Sequence, residues 1–224
     1  MNKTLSLMIA AAALVGGAVP AVADTAQAPA AAASAPALHR VQGFRSATFG
    51  MDEAQVKAAI AADFKPAGGA LQAFDNPVEK THAIALHLAS LAPAPGAADI
   101  TYIFGATSHR LMHVNVVWST GPAPTSTERL EMAPAGTELA GYFRDLGWRR
   151  GATTSSAAAD GSYAVLFAGI DPADAGVELR LSGVEIRRAN QAPTVPTGPA
   201  VLHVAYYANV GKPDTGSAVV RGSF

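Results

Sequence analysis

Residues 111–118 have the sequence LMHVNVVW, in which Met112, Val114, Val116 and Trp118 alternate against His113 and Asn115. An alternation with a period of two predicts a β-strand that buries one face and leaves a mixed face outside. The first four letters of this stretch, LMHV, are echoed by VLHV at residues 201–204. The echo indicates that two similar strands end two similar units of the chain.

Further strands with a period of two are predicted in the same half of the chain as each of these two similar strands. In the first half, the pattern predicts strands at residues 83–89 and 100–104, with a hairpin loop at 105–110 before the strand at 111–118. In the second half, it predicts strands at 163–167, 177–181 and 202–206, with a turn at 171–174. Short polar connections of this kind join antiparallel neighbours.

Each set of strands follows a predicted helix. Asp52 and Gln55 form the signature of a capping box, and Val56 and Ile60 share one face of a helix at residues 52–63. A second helix is predicted within residues 125–148, with Pro134 in its first turn and Gly147 as its C-terminal cap. Four apolar residues should form the buried face of this helix: Leu139, Tyr142, Phe143 and Leu146.

These elements predict an α+β fold made of two tandem α-β-β-β units, with an antiparallel sheet packed against helices. The first unit spans residues 39–120 and the second spans residues 121–210. Residues 24–38 consist almost wholly of Ala, Pro, Ser, Thr and Gln, which is typical of a flexible linker. Residues 211–224 are interpreted as a loose C-terminal tail.

Residues 1–23 have the layout of a secretory signal peptide. Lys3 precedes an apolar core, and the small residues Ala21 and Ala23 flank Val22 before Asp24. We expect cleavage after Ala23 and a periplasmic or secreted mature protein. The chain has no cysteine, which excludes a lipid anchor, disulfides and thiolate metal sites. No later segment is apolar enough to predict membrane insertion after cleavage.

Composition and motifs give little support for catalysis. The formal net charge is −1, so nucleic-acid binding is not expected. The sequence contains neither the Gly-x-Ser-x-Gly turn of a serine hydrolase nor a glycine-rich phosphate loop after a strand. His109 and His113 lie too far apart along a strand to share a metal ion. The sequence therefore predicts no cofactor, no metal site and no catalytic residue.

Two families resemble parts of the chain. The Phe49-Gly50-Met51 helix entry, followed by Gln55 and Val56, is similar to small envelope modules of the BamE/SmpA type. Tandem helix-plus-sheet units also resemble the β-lactamase inhibitor protein fold. The first resemblance implies a helix followed by a meander of strands. The second implies two halves that form one concave sheet able to grip another protein.

The mixed sheet face is the candidate binding surface. If the strands near 113 and 203 are neighbours, that face displays polar and aromatic side chains of the kinds used in recognition. The candidate residues are His113, Asn115, Glu178, Arg180, His203, Tyr207 and Asn209, whereas Trp118 and Trp148 are assigned to the core. The leading hypothesis is a non-catalytic periplasmic protein that binds an envelope protein or a small ligand. The alternatives are a hydrolase with a dispersed active site and a small outer-membrane barrel.

Overall fold

The computed structural model describes residues 38–65, 71–149, 153–157, 162–185, 196 and 198–216. Its elements, in chain order, are β1 (Gly43–Phe44), β2 (Ala47–Thr48), α1 (Glu53–Phe64), β3 (Gln72–Asn76), β4 (Thr81–Leu88), β5 (Ala98–Phe104), β6 (Leu111–Ser119), α2 (Ser126–Asp145), β7 (Thr153–Ala157), β8 (Tyr163–Ile170), β9 (Gly176–Ser182) and β10 (Val201–Tyr207). The predicted signal peptide, most of the linker and the last eight residues lie outside the described part.

An eight-stranded antiparallel sheet forms the body of the protein, with the order β3-β4-β5-β6-β10-β9-β8-β7. The predicted α+β class and antiparallel sheet are confirmed. The strand count per helix is a correction, because each helix is followed by four strands and not by three. The additional strands, β3 and β7, lie at the two edges of the sheet. Their sequences, QAFDN and TTSSA, lack apolar alternation because an edge strand has little to bury.

Helix α1 begins as the sequence predicts. The Asp52 side chain accepts a hydrogen bond from the Gln55 backbone N–H, and the Gln55 side chain accepts one from the Asp52 N–H, each at 3.0 Å. Val56 and Ile60 are buried in the core, while Glu53 and Lys57 form an exposed ion pair. The capping box thus fixes the start of the helix, and the apolar stripe fixes its rotation.

We expect Asp52→Ala to lower the free energy of unfolding by about 0.5–2 kcal/mol, because the first turn of α1 loses its acceptor. Asp52→Asn should retain most of the stability, since an amide oxygen can accept the same hydrogen bond. Urea melts of the two variants and the parent measure the difference. Equal stability of the alanine and asparagine variants would contradict the capping role.

Helix α2 differs from its prediction at three points. It is capped by a Thr125–Glu128 capping box, so Pro134 lies inside the helix and not in its first turn. It ends at an extended Leu146, so Gly147 follows the cap instead of forming it. Tyr142 is 58% exposed although it was expected on the buried face. Phe143 is buried as predicted.

Both helices lie on the same side of the sheet. Gly136 of α2 lies against Leu166 and Leu202, so α2 covers the apolar face of the second-half strands. In α1, the Glu53 carboxylate lies 3.6 Å from Nε2 of His82, whose strand neighbour Phe104 is buried in the same core. Strand alternation leaves the opposite face of the sheet free of both helices.

The core lies between the helices and the sheet, and both tryptophans join it. Ile84, Ile100, Val116 and Leu202 are fully buried and belong to one continuous cluster. Trp118 is buried and its indole N–H donates to the Leu91 carbonyl at 2.6 Å. The half-buried Trp148 packs against the cluster as well. The assignment of both tryptophans to the core is confirmed.

Two irregularities change which residues face the core. The pairing of β5 with β6 shifts next to Phe104, so Leu111 is buried there and Met112, expected in the core, is half-buried. The pairing of β8 with β9 shifts between Val165 and Phe167, which sends Phe167 to the core. A β-bulge adds one residue to one strand and thereby reverses the faces beyond it. Strict alternation could not predict these positions.

The ends of the described fold are held by two aspartates. Buried Asp171 accepts hydrogen bonds from the backbone N–H groups of Val41 and Ala175. Near the other end, the Asp214 carboxylate accepts from the backbone N–H groups of Thr107 and Ser108 in the loop between β5 and β6. These contacts tie residues 41 and 214 to parts of the chain that are distant in sequence.

Candidate functional site

Strands β6 and β10 lie side by side at the centre of the sheet. Tyr207 is opposite His113, Ala205 is opposite Asn115, and His203 is opposite Val117. Residues that are opposite each other in a ladder point to the same side of the sheet. His113 and His203 are therefore on one face, as the sequence suggested, and this face is the one without helices.

Strand β9 adds two charged residues to this face. Arg180 is opposite His203, and Glu178 is opposite Ala205. Six of the seven candidate residues therefore share one surface on the neighbouring strands β6, β10 and β9. We call this surface the polar face and define it by His113, Asn115, Glu178, Arg180, His203 and Tyr207.

Contacts across the polar face pair its side chains with one another. Nε2 of His203 lies 2.7 Å from Oδ1 of Asn115. The rings of His113 and Tyr207 lie 4.3 Å apart at an angle of 32°. His203 is therefore hydrogen-bonded to Asn115 and His113 packs against Tyr207, while Asn115 and His203 also lie close enough to His113 to influence its pKa.

Arg180 is the cationic residue of the polar face. The Arg180 guanidinium forms an ion pair with Glu178 and lies 5.1 Å from the centre of the Tyr163 ring. Sequence reasoning missed Tyr163, because alternation grouped it with Phe167 as a core residue. The bulge in β8 separates the two, so Tyr163 shares a face with Arg180. The aromatic ring attracts this cation, which still has 44% of its side-chain surface exposed.

Burial controls the charge of the polar face. It lowers the pKa of His113 to about 4, and it also lowers the pKa of His203, with a further contribution from the nearby Arg180 charge. Burial raises the pKa of the Tyr207 hydroxyl, and so does the Glu178 charge. At neutral pH both imidazoles and the phenol are uncharged, and the single anion is paired with the single cation.

His113 is more enclosed than the half-exposed histidine that the sequence suggested. Its Nε2 is buried without a hydrogen-bond partner, and Ile103 is its neighbour on β5. Protonation of this imidazole is costly because burial removes the hydration of the charged form, and the Asn115 side chain offsets that cost only in part.

The seventh candidate, Asn209, does not join the polar face. It follows the end of β10, and its Oδ1 accepts hydrogen bonds from the backbone N–H groups of Gly211 and Lys212. Its role in the structure is to hold the turn after the last strand. Alternation could not place this residue, because the strand ends at Tyr207. His87 lies on the same face of the sheet but two strands away from β6, where it is exposed and its Nδ1 lies 2.8 Å from Oδ1 of Asp99.

We expect stability to fall in acid because of His113. An unfolded histidine has a pKa near 6.5, so between about pH 4 and 6.5 the unfolded chain binds more protons than the folded one. The free energy of unfolding should drop by about 1–2 kcal/mol between pH 7 and pH 5, and the lowered pKa of His203 acts in the same direction. His113→Phe retains a ring against Tyr207 but cannot titrate, so its urea melts should show a smaller pH slope. Identical slopes would contradict the assignment.

No protein-family model, curated protein or solved structure matches this chain. Among the described residues, no three His, Asp or Glu side chains gather closely enough to hold a metal ion. No helix in the described part of the chain has the length and apolar character needed to cross a membrane. Any functional assignment therefore depends on the fold and on the side chains of the polar face.

Proposed function

We propose that this chain is an exported, non-catalytic protein that binds a partner in the cell envelope through its polar face. The observation that carries the proposal is the junction of β6, β10 and β9, where six recognition-type side chains lie on the sheet face opposite both helices. Export is proposed from residues 1–23, which precede the described structure and read as a signal peptide with cleavage after Ala23.

The chemistry of the polar face favours a protein partner of mixed polarity. Tyr207 and Tyr163 offer ring surface, the hydrogen-bonded pair of Asn115 and His203 offers polar groups, and Arg180 offers an exposed cation. Interfaces are enriched in tyrosine and arginine, and these residues carry much of the binding energy. Because Glu178 balances Arg180, a strongly charged partner such as a nucleic acid gains little here.

The proposal includes two tandem units. Helix α1 precedes β3–β6, helix α2 precedes β7–β10, and the sheet order runs outward in both directions from β6 and β10. This mirror order supports a duplicated unit and agrees with the resemblance of residues 111–114 to residues 201–204. It also favours the likeness to the tandem-unit inhibitor fold, in which a sheet made of both halves contacts another protein. In this account, the junction of the halves is the place of binding.

Arg180→Ala should weaken capture of the partner from envelope extract by about tenfold, because it removes the exposed cation and uncovers the Tyr163 ring. Arg144→Ala is the matched control, since Arg144 is an exposed arginine near the end of α2 on the helix side. The measurement is quantitative mass spectrometry of proteins retained by the immobilised chain and its two variants.

The comparison requires that both variants fold, which thermal melts establish before capture. A protein retained equally by the parent and Arg144→Ala, and depleted with Arg180→Ala, supports the polar face as its binding surface. Equal retention by all three chains would exclude the polar face as the surface that binds it. If a protein were retained less by Arg144→Ala alone, its binding surface would lie on the helix side of the sheet.

A further inference from the structure

A cleft opens on the helix side of the sheet, away from the polar face. It has a volume of about 330 Å³ and lies between residues 39–45, the C-terminal end of α2 and β10. Its lining includes His39, Arg40, Phe44, Arg45, Tyr142 and Tyr206. Pockets that hold small organic molecules have volumes of about 300–1,000 Å³, so this cleft suits a small ligand.

Aromatic rings form the walls of the cleft. The rings of Phe44 and Tyr206 lie 5.6 Å apart, and buried Phe143 lies 6.3 Å from Tyr206. Tyr142 lies at the rim with 58% of its surface exposed, although the sequence placed it on the buried face of the helix. Its ring borders the open space of the cleft and contacts the ring of Phe143.

Two cations line the cleft without an anionic partner in the described chain. Neither Arg40 nor Arg45 has an ion pair among the described residues, and the Arg45 guanidinium lies 4.7 Å from the centre of the Phe64 ring. Burial lowers the pKa of His39, so this neighbour adds no charge at neutral pH. The cleft therefore has a net positive lining.

The carboxylates in this region already have partners. Asp63 accepts hydrogen bonds from the backbone N–H and the hydroxyl of Ser46. Asp171 is buried beneath residues 39–41 and accepts from Val41 and Ala175. Neither carboxylate lines the cleft or neutralises the arginines by direct contact. Both arginines line the cleft, so an anionic group of a ligand bound there would enter a positively charged surrounding.

We propose that this cleft binds a small aromatic carboxylate. Its carboxylate is held by Arg40 and Arg45, and its ring lies between Phe44 and Tyr142. The planar guanidinium fork matches a carboxylate better than any other side chain does, and a ring adds stacking to the aromatic walls. The volume limits the ligand to about one ring with a short acid side chain.

This site is separate from the polar face. Tyr206 and Tyr207 are adjacent on β10, and adjacent residues of a strand point to opposite sides of the sheet. Tyr206 lines the cleft, whereas Tyr207 contacts His113 on the polar face. A partner on the polar face and a carboxylate in the cleft can therefore be present together, and each can be tested without the other.

The test titrates the ¹⁵N-labelled chain with 3-phenylpropionate and, separately, with its neutral amide, 3-phenylpropanamide. Arg40→Gln and Arg45→Gln are compared with Arg144→Gln, an exposed arginine that does not line the cleft. We expect the acid to shift the amide signals of residues 39–48 and 142–146. Binding should be about tenfold weaker for the neutral amide and for each cleft variant, and unchanged for Arg144→Gln.

Three results would overturn the proposal. The first is the absence of shifts at about 20 mM acid, a concentration at which even weak specific binding is visible. The second is equal affinity for the acid and the neutral amide, which would leave the arginines without a role. The third is shifts confined to β6, β9 and β10 on the polar face. Because Tyr142→Ala changes an exposed side chain, it provides a folded variant should either arginine change prove unstable.

Discussion

Asp171→Ala is expected to lower the free energy of unfolding by about 3–5 kcal/mol. The Asp171 carboxylate is 1% exposed and accepts hydrogen bonds from the backbone N–H groups of Val41, Ala173 and Ala175 at 2.6–3.1 Å. Alanine would leave the buried N–H groups of Val41 and Ala175 without an acceptor. Each stranded donor costs about 1–3 kcal/mol, and hydrogen bonds to a charged acceptor are among the stronger ones.

Asp174→Asn is the matched control for this change. Asp174 belongs to the same turn, but it is exposed and pairs with Arg149, so its replacement should cost less than about 1 kcal/mol. Urea melts at neutral pH compare the two variants with the parent. If the free energy of unfolding of Asp171→Ala were within about 1 kcal/mol of that of the parent, this carboxylate would not hold residues 39–41 in place. Other contacts would then have to position that wall of the cleft.

Ile60→Ala is expected to cost about 2–5 kcal/mol. Ile60 is 5% exposed, and it belongs with Val56 and Ala59 to the stripe that attaches α1 to the core. Truncating a buried isoleucine removes apolar contacts and leaves a cavity that the surroundings fill only in part. The change tests whether α1 has the rotation that its sequence predicts.

Lys57→Ala provides the comparison on the same helix. Lys57 is exposed and paired with Glu53, and an exposed pair of this spacing is worth about 0.3–0.5 kcal/mol. Thermal melts should therefore separate the two variants clearly. Similar stabilities of Ile60→Ala and Lys57→Ala would mean that the helix presents a different face to the sheet.

The elements with strong local signals were predictable from sequence. The capping box of Asp52 and Gln55 places the start of α1, and alternation places the buried residues Ile100 and Val116 on the correct side of their strands. The edge strands β3 and β7 were missed because an edge strand pairs through its backbone and buries few side chains. Pairing at an edge depends on a neighbour and not on the local pattern.

The wrong predictions concern residues whose positions depend on contacts with other parts of the chain. Pro134 was expected near a helix start, but the Thr125–Glu128 capping box begins the helix two turns earlier. Met112 was expected in the core, but the irregular pairing of β6 exchanges it for Leu111. Bulges follow from how two strands fit together, so a period read along one strand does not contain them.

Only part of the polar face was predictable from the sequence, because alternation along one strand shows neither a bulge nor the end of the strand. Period-two alternation puts His113 and Asn115 on one side, and the similarity of the two central strands suggested that His203 is near them. Tyr163 joins this surface only because of the bulge in β8, and Asn209 leaves it because β10 ends at Tyr207. The cleft had no signal in the sequence, since its arginines and rings come from segments that meet only in the fold.

The most direct test of binding at the polar face is site-specific photocrosslinking in cells. A photoreactive phenylalanine derivative replaces Tyr163, which borders Arg180 on the polar face, or Leu130, which is 70% exposed on α2. We predict an adduct of one discrete mass from position 163, lost when Arg180→Ala is added, and no such adduct from position 130. An adduct from position 130 with none from position 163 would contradict binding at the polar face.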